Sequence, residues 1–318
     1  MKSRASMIAL VATMALTGGV AEAADRVRAS LFKIGASTNA WIAKTQGFFD
    51  RNNLDVEFIE FRNGNEAITA NRGGSVDIIM SIPGTVMVAS ERGFDLVLLM
   101  QNEVARAAGP DAGSIQVLAD SPFQKLSDLA GRKLAVSGLH SQMSVSVQTS
   151  FEKAGVDWSK MQVMELPFPA MNDALRAKQV DAVAQLDPFT TQLRTSGGGR
   201  VLSWLYVDAV PEQPIGAWYA TKAYVDKNRD LVNRYVKSLR EAIDWLDADE
   251  ARARRSIAEY TGLDPKLIET MPVIKWSWRI DMDRWQATAD MMRKAGELQK
   301  PHKADEYISD IARQFVVK

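Results

Sequence analysis

Short apolar runs of strand length alternate with helix-like stretches through most of this chain, and the alternation stops once and then starts again. Such alternation argues for largely parallel sheet covered by helices, and its interruption argues for two such units. Strands are expected over 29–35, 56–61, 76–80 and 94–100, with helices over 41–50, 66–72 and 83–92, the last opened by Pro83. Residues 103–114 break the rhythm with Gly109-Pro110-Asp111 and Gly113-Ser114, a turn-rich stretch that reads as a crossing between halves. The rhythm resumes with strands over 115–119, 133–136, 162–166 and 180–184 and helices over 141–154 and 170–178. Pro188 opens another helix, which ends at Gly197-Gly198-Gly199, because glycine accepts the left-handed geometry of a helix stop. Residues 207–214 carry two prolines and read as the return crossing.

The remainder is mainly helical. Leu231, Val232, Tyr235, Val236, Leu239, Ala242, Ile243 and Leu246 fall on one apolar stripe of a helix. Further helices are expected over 251–260, 265–271, 283–295 and 304–315. A weak internal echo links residues 70–77 to 174–181: each segment ends in Val-Asp, and each leads through a short strand to a proline-opened helix, at Pro83 or Pro188. Any two strand–helix units can show as much by chance. Asp77 and Asp181 read as structural residues near strand starts, and the scattered methionines as core filler.

The first residues read as an export signal. Lys2 and Arg4 precede an apolar run over 7–16, too short to span a bilayer, and Ala21-Glu22-Ala23 supplies small residues for cleavage after Ala23. An apolar first helix of the fold is the alternative. The chain has no cysteine, which removes disulfides, thiolate zinc sites, cysteine nucleophiles and a lipoprotein anchor together. A protein free in the periplasm is therefore expected. Basic and acidic residues balance at 39 each, so no large basic face for nucleic acid is implied.

In open parallel sheets, ligands bind beyond the carboxyl ends of the strands, where helices begin and present free N–H groups. The loops in that position are Ser37-Thr38-Asn39-Ala40-Trp41, Asn63-Gly64-Asn65-Glu66 and Ser81-Ile82-Pro83-Gly84-Thr85 in the first half. In the second half they are Ser137-Gly138-Leu139-His140-Ser141-Gln142 and Asp187-Pro188-Phe189. From these the candidate ligand-binding residues are Ser37, Thr38, Asn39, Trp41, Gly64, Asn65, Ser81, Gly84, Thr85, Gly138, His140, Ser141, Gln142 and Asp187. Small hydroxyl and amide groups there can orient a polar solute without adding charge, and Gly138 would let backbone approach it closely. Each also has a plainer reading. Ser37, Thr38 and Ser141 are good helix N-caps; Trp41 either stacks on a ligand or packs on its helix face; Asp187 either binds a ligand amine or only caps its helix.

Nothing in the sequence looks catalytic. His140 and His302 are the only histidines, so a multi-histidine metal site is impossible. His140, at a helix start, reads as a neutral hydrogen-bonding group. There is no Gly-x-Ser-x-Gly elbow and no Walker-type phosphate loop, and Glu57 and Glu60 fall on opposite faces of a strand.

Several stretches carry a family resemblance. They are Lys33-Ile34-Gly35-Ala36 through Gly47-Phe48-Phe49, Gly74-Ser75-Val76-Asp77-Ile78, and Asp120-Ser121-Pro122 with residues 126–136. Ala154-Gly155-Val156, Gln179-Val180-Asp181-Ala182 and Asp187-Pro188-Phe189 complete the set. In order and spacing the chain resembles type II periplasmic solute-binding proteins of the nitrate/sulfonate/taurine transporter class. Gln179 stands where a glycine is usual and Leu186 where an aromatic is usual.

The resemblance implies an α/β, two-lobed periplasmic binding protein fold, each lobe a mostly parallel sheet flanked by helices. It divides the chain into a signal peptide over 1–23, lobe I over 24–112 and 213–318, and lobe II over 113–212. It implies a monomer without cofactor or metal that captures a small-molecule solute, a sulfonate or carboxylate-like organic anion, for an ABC permease and its ATPase. Arg62 is the nearest arginine to the loops, so helix N-termini and neutral donors are expected to hold an acid group. Chorismate-dehydrating enzymes and thiamine-pyrimidine synthases share the fold and stand as the enzymatic alternative. A ligand-presenting partner of a membrane sensor is a third.

Overall fold

The computed structural model describes residues 23–317; the leader expected over 1–23 lies, all but Ala23, outside the described residues. The first half of the chain forms β1 (Asp25–Leu31), α1 (Thr38–Thr45), α2 (Phe48–Arg51), β2 (Leu54–Glu60), α3 (Gly64–Arg72), β3 (Ile79–Ser81), α4 (Pro83–Glu91) and β4 (Leu96–Val104). The middle forms β5 (Gly113–Leu118), β6 (Lys133–Val136), α5 (Gln142–Lys153), β7 (Gln162–Glu165), α6 (Phe168–Arg176), β8 (Ala182–Leu186), α7 (Phe189–Thr195), β9 (Gly199–Ser203) and α8 (Leu205–Ala209). The chain then returns as β10 (Pro214–Thr221), α9 (Lys222–Lys227), α10 (Arg229–Asp247), α11 (Glu250–Thr261), α12 (Pro265–Thr270), β11 (Ile280–Asp281), α13 (Met282–Lys294) and β12 (Val316–Val317).

Two main sheets result, built on one plan, beside a short parallel pair of β11 and β12. In the first, β1 pairs with β2 in parallel, a parallel bridge from Ala29 to Ile78 leads on to β3, and β10 lies antiparallel between β3 and β4. The second runs β7-β6-β8-β5-β9, and β5 is its one antiparallel member. In both, the antiparallel strand is the one laid down immediately after a crossing. A chain entering a sheet from its carboxyl-end side has to run back against the parallel strands. The topology thereby turns the carboxyl ends of both sets of parallel strands toward the crossings, the end where loops and helix starts gather.

The crossings themselves lie side by side. Ala105 N–H donates to Gln213 O at 2.9 Å, and Glu212 N–H to Arg106 O at 3.3 Å. They are shorter than expected. Strand β4 continues to Val104 because its polar end is satisfied inside the protein: Gln101 Nε2 donates to the carbonyls of Glu103 and Gly216. Asn102 Oδ1 accepts from the Trp218 indole N–H at 2.8 Å. Residues 207–209 of the expected return crossing belong to helix α8, and β9 and β10 extend strand structure on either side of it.

The echo between residues 70–77 and 174–181 is structural. Asp77 Oδ2 accepts from Arg28 N–H in the middle of β1, and Asp181 Oδ2 from Lys133 N–H at the start of β6, each at 2.9 Å. The preceding helices α3 and α6 also stop alike. Gly74 N–H bonds Asn71 O and Ser75 N–H bonds Ala70 O; Lys178 N–H bonds Leu175 O and Gln179 N–H bonds Ala174 O. This is the Schellman arrangement, with a left-handed residue at φ 73° in Gly74 and φ 55° in Lys178. The position that needs glycine is thus Lys178, one residue before the departure noted at Gln179.

The main core belongs to the first sheet. The stripe on α10 is buried against α1 and α2, with Val232, Tyr235, Leu239, Ala242 and Leu246 fully covered. Covering a large apolar side chain in this way stabilises by roughly 1.5–3 kcal/mol. Two smaller clusters, around Phe151 and around Leu175, fill the second sheet's faces. Elsewhere the expectations shift. The helix over 41–50 divides at Gly47, φ 70°, into α1 and α2. The helix expected over 304–315 is instead two short 3-10 turns, Ala304–Tyr307 and Ala312–Phe315. Between them Ser309 gives both its N–H and its hydroxyl to Leu98 O, so the segment is drawn onto β4 and cannot coil as one helix.

Candidate functional site

The sequence places candidate residues at five strand tips, and the fold puts the carboxyl ends of the parallel strands of both sheets on the side of the crossings. On the first sheet, the tip of β1 leads into α1. Ser37 Oγ accepts from Phe32 N–H at 3.3 Å and closes that loop on itself, which accounts for Ser37 structurally. Thr38 and Asn39 follow, both fully buried. Asn39 Nδ2 donates to Asn102 Oδ1 at 2.8 Å, but Asn39 Oδ1 and Thr38 Oγ1 have no partner. Trp41 faces Tyr260, ring centres 5.8 Å apart, so it takes the packing role of its two readings.

At the next tip Asn63 is the cap of α3, its Oδ1 accepting from Glu66 N–H at 3.0 Å, while Asn65 points to solvent. Gly64 is required by proximity: a Cβ there would sit 2.5 Å from Ser81 Oγ. That closeness brings the start of α3 onto the tip of β3, where Ser81 is 4% exposed and its hydroxyl has no partner. Gly84 and Thr85 form the first turn of α4, behind Pro83.

On the second sheet, Ser141 is the N-cap of α5, accepting from Ser144 N–H at 3.2 Å. A Cβ at Gly138 would meet nothing within 4 Å, so no close protein approach demands glycine there. His140 stands at the rim with its side chain 68% exposed, Nδ1 3.0 Å from Glu297 Oε1 beyond α13. It joins the two halves of the molecule and does not line the interior. Gln142 is fully buried and fully used: Oε1 accepts from Gly84 N–H at 2.7 Å, and Nε2 donates to Gln213 Oε1 at 2.9 Å and to Pro214 O at 2.7 Å. Gln142 therefore ties the tip of β6, the tip of β3 and the return crossing together, a clasp with no group left for a guest.

Asp187 closes the set at the tip of β8. It is 8% exposed, Oδ1 accepts from Thr191 N–H at 2.9 Å, and Oδ2 has no partner. Burial pushes its carboxyl up to about 6. Two further buried acids sit at the crossings: Asp111, pushed up to about 6, and Glu103, pushed up to about 8, both by desolvation.

The structure thus brings Thr38, Asn39, Ser81 and Asp187 to the strand tips as buried polar groups with unused capacity. Such groups are rare unless water or a ligand satisfies them. Ser37, Trp41, Ser141 and Gln142 are occupied by the protein itself. Gln213, Glu297 and Met292, whose Sδ would lie 2.8 Å from a Cβ at Gly84, were invisible in the sequence. They come from the return crossing and the end of α13, where no motif marks them. Among the described residues, no cluster of three or more metal-ligating side chains is present, and no helix is long and apolar enough to cross a membrane.

Two mostly parallel sheets flanked by helices and joined by paired crossings define a periplasmic binding protein fold. The chain belongs to the family described as NMT1/THI5 like, whose family model matches residues 36–253. It is 24% identical over 290 residues to a putative binding protein of Brucella abortus, covering 87% of each chain. It is 25% identical over 214 residues to a putative aliphatic sulfonates-binding protein of Escherichia coli, covering 67% of this chain and 64% of that one. In fold it resembles the alkanesulfonate-binding protein of Xanthomonas axonopodis pv. citri bound to MOPS. The TM-score is 0.75 at 22% identity, covering 91% of this chain and 99% of that one. The chain is a member of a class of solute-binding proteins.

Proposed function

We propose that this protein captures a small polar solute between its two lobes in the periplasm and delivers it to an ABC permease driven by its ATPase. The observation that supports this most is that buried polar atoms without a partner recur at strand tips of both sheets: Thr38 Oγ1, Asn39 Oδ1, Ser81 Oγ and Asp187 Oδ2. A guest held between the lobes could satisfy them, and the contacts between Gln142 and Gly84 and between His140 and Glu297 would hold the lobes around it.

The lobes divide at the crossings, with lobe I returning after residue 213. The first turns of α1 and α5 are the helix starts that could offer N–H groups to an acidic part of the solute, in keeping with a small organic sulfonate or carboxylate. Calorimetry with a panel of sulfonates and carboxylates tests the reading. Micromolar or tighter binding without turnover is expected. Conversion of a solute by the purified protein alone would replace it with the enzymatic alternative.

A further inference from the structure

We infer that His140 and Glu297 form a proton-dependent latch between the lobes, which favours the closed form as pH falls through the histidine range. This rests on the two-lobed, solute-binding reading and adds a regulation to it. His140 belongs to the loop between β6 and α5 and Glu297 to the turn after α13, 157 positions apart in the chain. Both oxygens of Glu297 face His140 Nδ1, at 3.0 and 3.2 Å. Among the described residues the Glu297 carboxylate has no other hydrogen-bond partner.

The backbone fixes both ends. Helix α13 stops at Gly296, φ 82°, with Gly296 N–H on Arg293 O at 2.9 Å and Glu297 N–H on Met292 O at 3.0 Å. This Schellman stop sets the direction in which Glu297 leaves the helix. His140 holds φ 53°, a left-handed conformation uncommon for residues with a side chain. Its loop is tied on either side: Ser141 Oγ donates to Gly138 O at 2.9 Å, and Leu139 N–H donates to Glu165 Oε2 at 3.4 Å. A free surface histidine has no need of that conformation; one that must reach the other half does.

The chemistry of the pair makes it a switch. A carboxylate only accepts, so the contact requires a proton on Nδ1. The imidazolium always carries it, and the contact is then an ion pair. The neutral ring carries it in one of two tautomers, and the attraction between charges is gone. The other side-chain bonds between the halves lack this dependence. Gln142 uses an amide, and Arg194 of α7 donates from Nη2 to Thr270 O, at the end of α12, at 2.8 Å. Neighbouring elements bring Glu165 from β7 and Arg293 and Lys294 from the last turn of α13, while the first turn of α5 brings no charge. Glu165 shares a half with His140, so its pull is the same open or closed. Arg293 and Lys294 share a half with Glu297, are exposed, and temper the attraction. For a pair at an exposed rim, the expected gain in the closed-to-open ratio is about two- to fivefold. Acid therefore favours closure and strengthens solute binding by the same factor.

The test reads the closed fraction directly. The chain has no cysteine, so Asp173→Cys and Lys227→Cys, at exposed positions on the two halves, take a dye pair for single-molecule energy transfer. The labelled, solute-free protein is followed from pH 8 to pH 5.5. Its closed-to-open ratio is expected to rise at least twofold more than in the same protein carrying His140→Gln or Glu297→Gln. Asp187 and Asp111, raised to about 6, and Glu103, raised to about 8, titrate in all three proteins, and the comparison subtracts them. His140→Arg keeps its charge at every pH and should hold the higher ratio at pH 8. Equal pH responses with and without the pair overturn the latch and leave two closing lobes standing. A single distance at every pH, unmoved by Gln142→Ala, overturns both.

Discussion

Glu103 lies at the end of β4, buried where the first crossing begins, and desolvation raises its carboxyl from 4.5 to about 8. At neutral pH it is therefore held as the uncharged acid. The folded chain keeps a proton that the unfolded chain releases above its ordinary value. The stabilisation is complete below about pH 4.5 and is lost as pH rises through about 8. Each unit of difference corresponds to about 1.4 kcal/mol, so the decline amounts to several kcal/mol at most. Urea unfolding between pH 6 and pH 9 should show the natural protein weakening, and Glu103→Gln should flatten that slope while changing little at pH 6. An unchanged slope in the variant would place the titration elsewhere. Lys178 offers a second test at this scale. It holds φ 55°, a left-handed conformation that its counterpart Gly74 adopts without a Cβ penalty. Lys178→Gly should therefore stabilise the protein by about 1 kcal/mol in the same assay, and Gly74→Ala should destabilise it by a similar amount.

At the scale of elements, periodicity was the legible part. The α10 stripe named from spacing alone is the stripe the fold buries, so Leu239→Ala should cost about 2–5 kcal/mol, read as a lower urea midpoint with an unchanged slope. The strand tips were legible for a related reason: alternation fixes where parallel strands end, and the ends fix where loops face. What stayed hidden was decided by contacts far away in the chain. The end of β4 reads as a polar break, yet Gln101 and Asn102 find partners on β10 and on the tryptophans packed around it. Residues 304–315 have helical composition, but Ser309 and Ile308 are captured by Leu98, and that capture overrides local propensity. Within the site, Gln142 and Asp187 looked alike as polar residues at helix starts. Only the partners at the opposite sheet and the crossings separate a clasp from an open acceptor.

For the whole molecule, the balance between open and closed lobes should rest on Gln142. In the closed arrangement its amide meets Gly84 N–H, Gln213 Oε1 and Pro214 O, all out of contact with solvent at that side chain. If the lobes part, water can take over each of those bonds. Replacing Gln142 with Ala therefore penalises the closed form selectively, because partners left buried and unpaired cost about 1–3 kcal/mol each while the open form loses little. A shift of only 1.4 kcal/mol changes the closed population tenfold, and the apparent affinity for solute falls in proportion to the competent fraction. Gln142→Ala should consequently weaken solute binding by tenfold or more, mainly through faster release. It should also raise the radius of gyration of the solute-free protein in small-angle scattering. Asp187→Asn should not cause that expansion, since the Asp187 side chain bonds Thr191 in its own half of the molecule. If both variants lost affinity and neither changed the scattering, closure would not be what Gln142 controls.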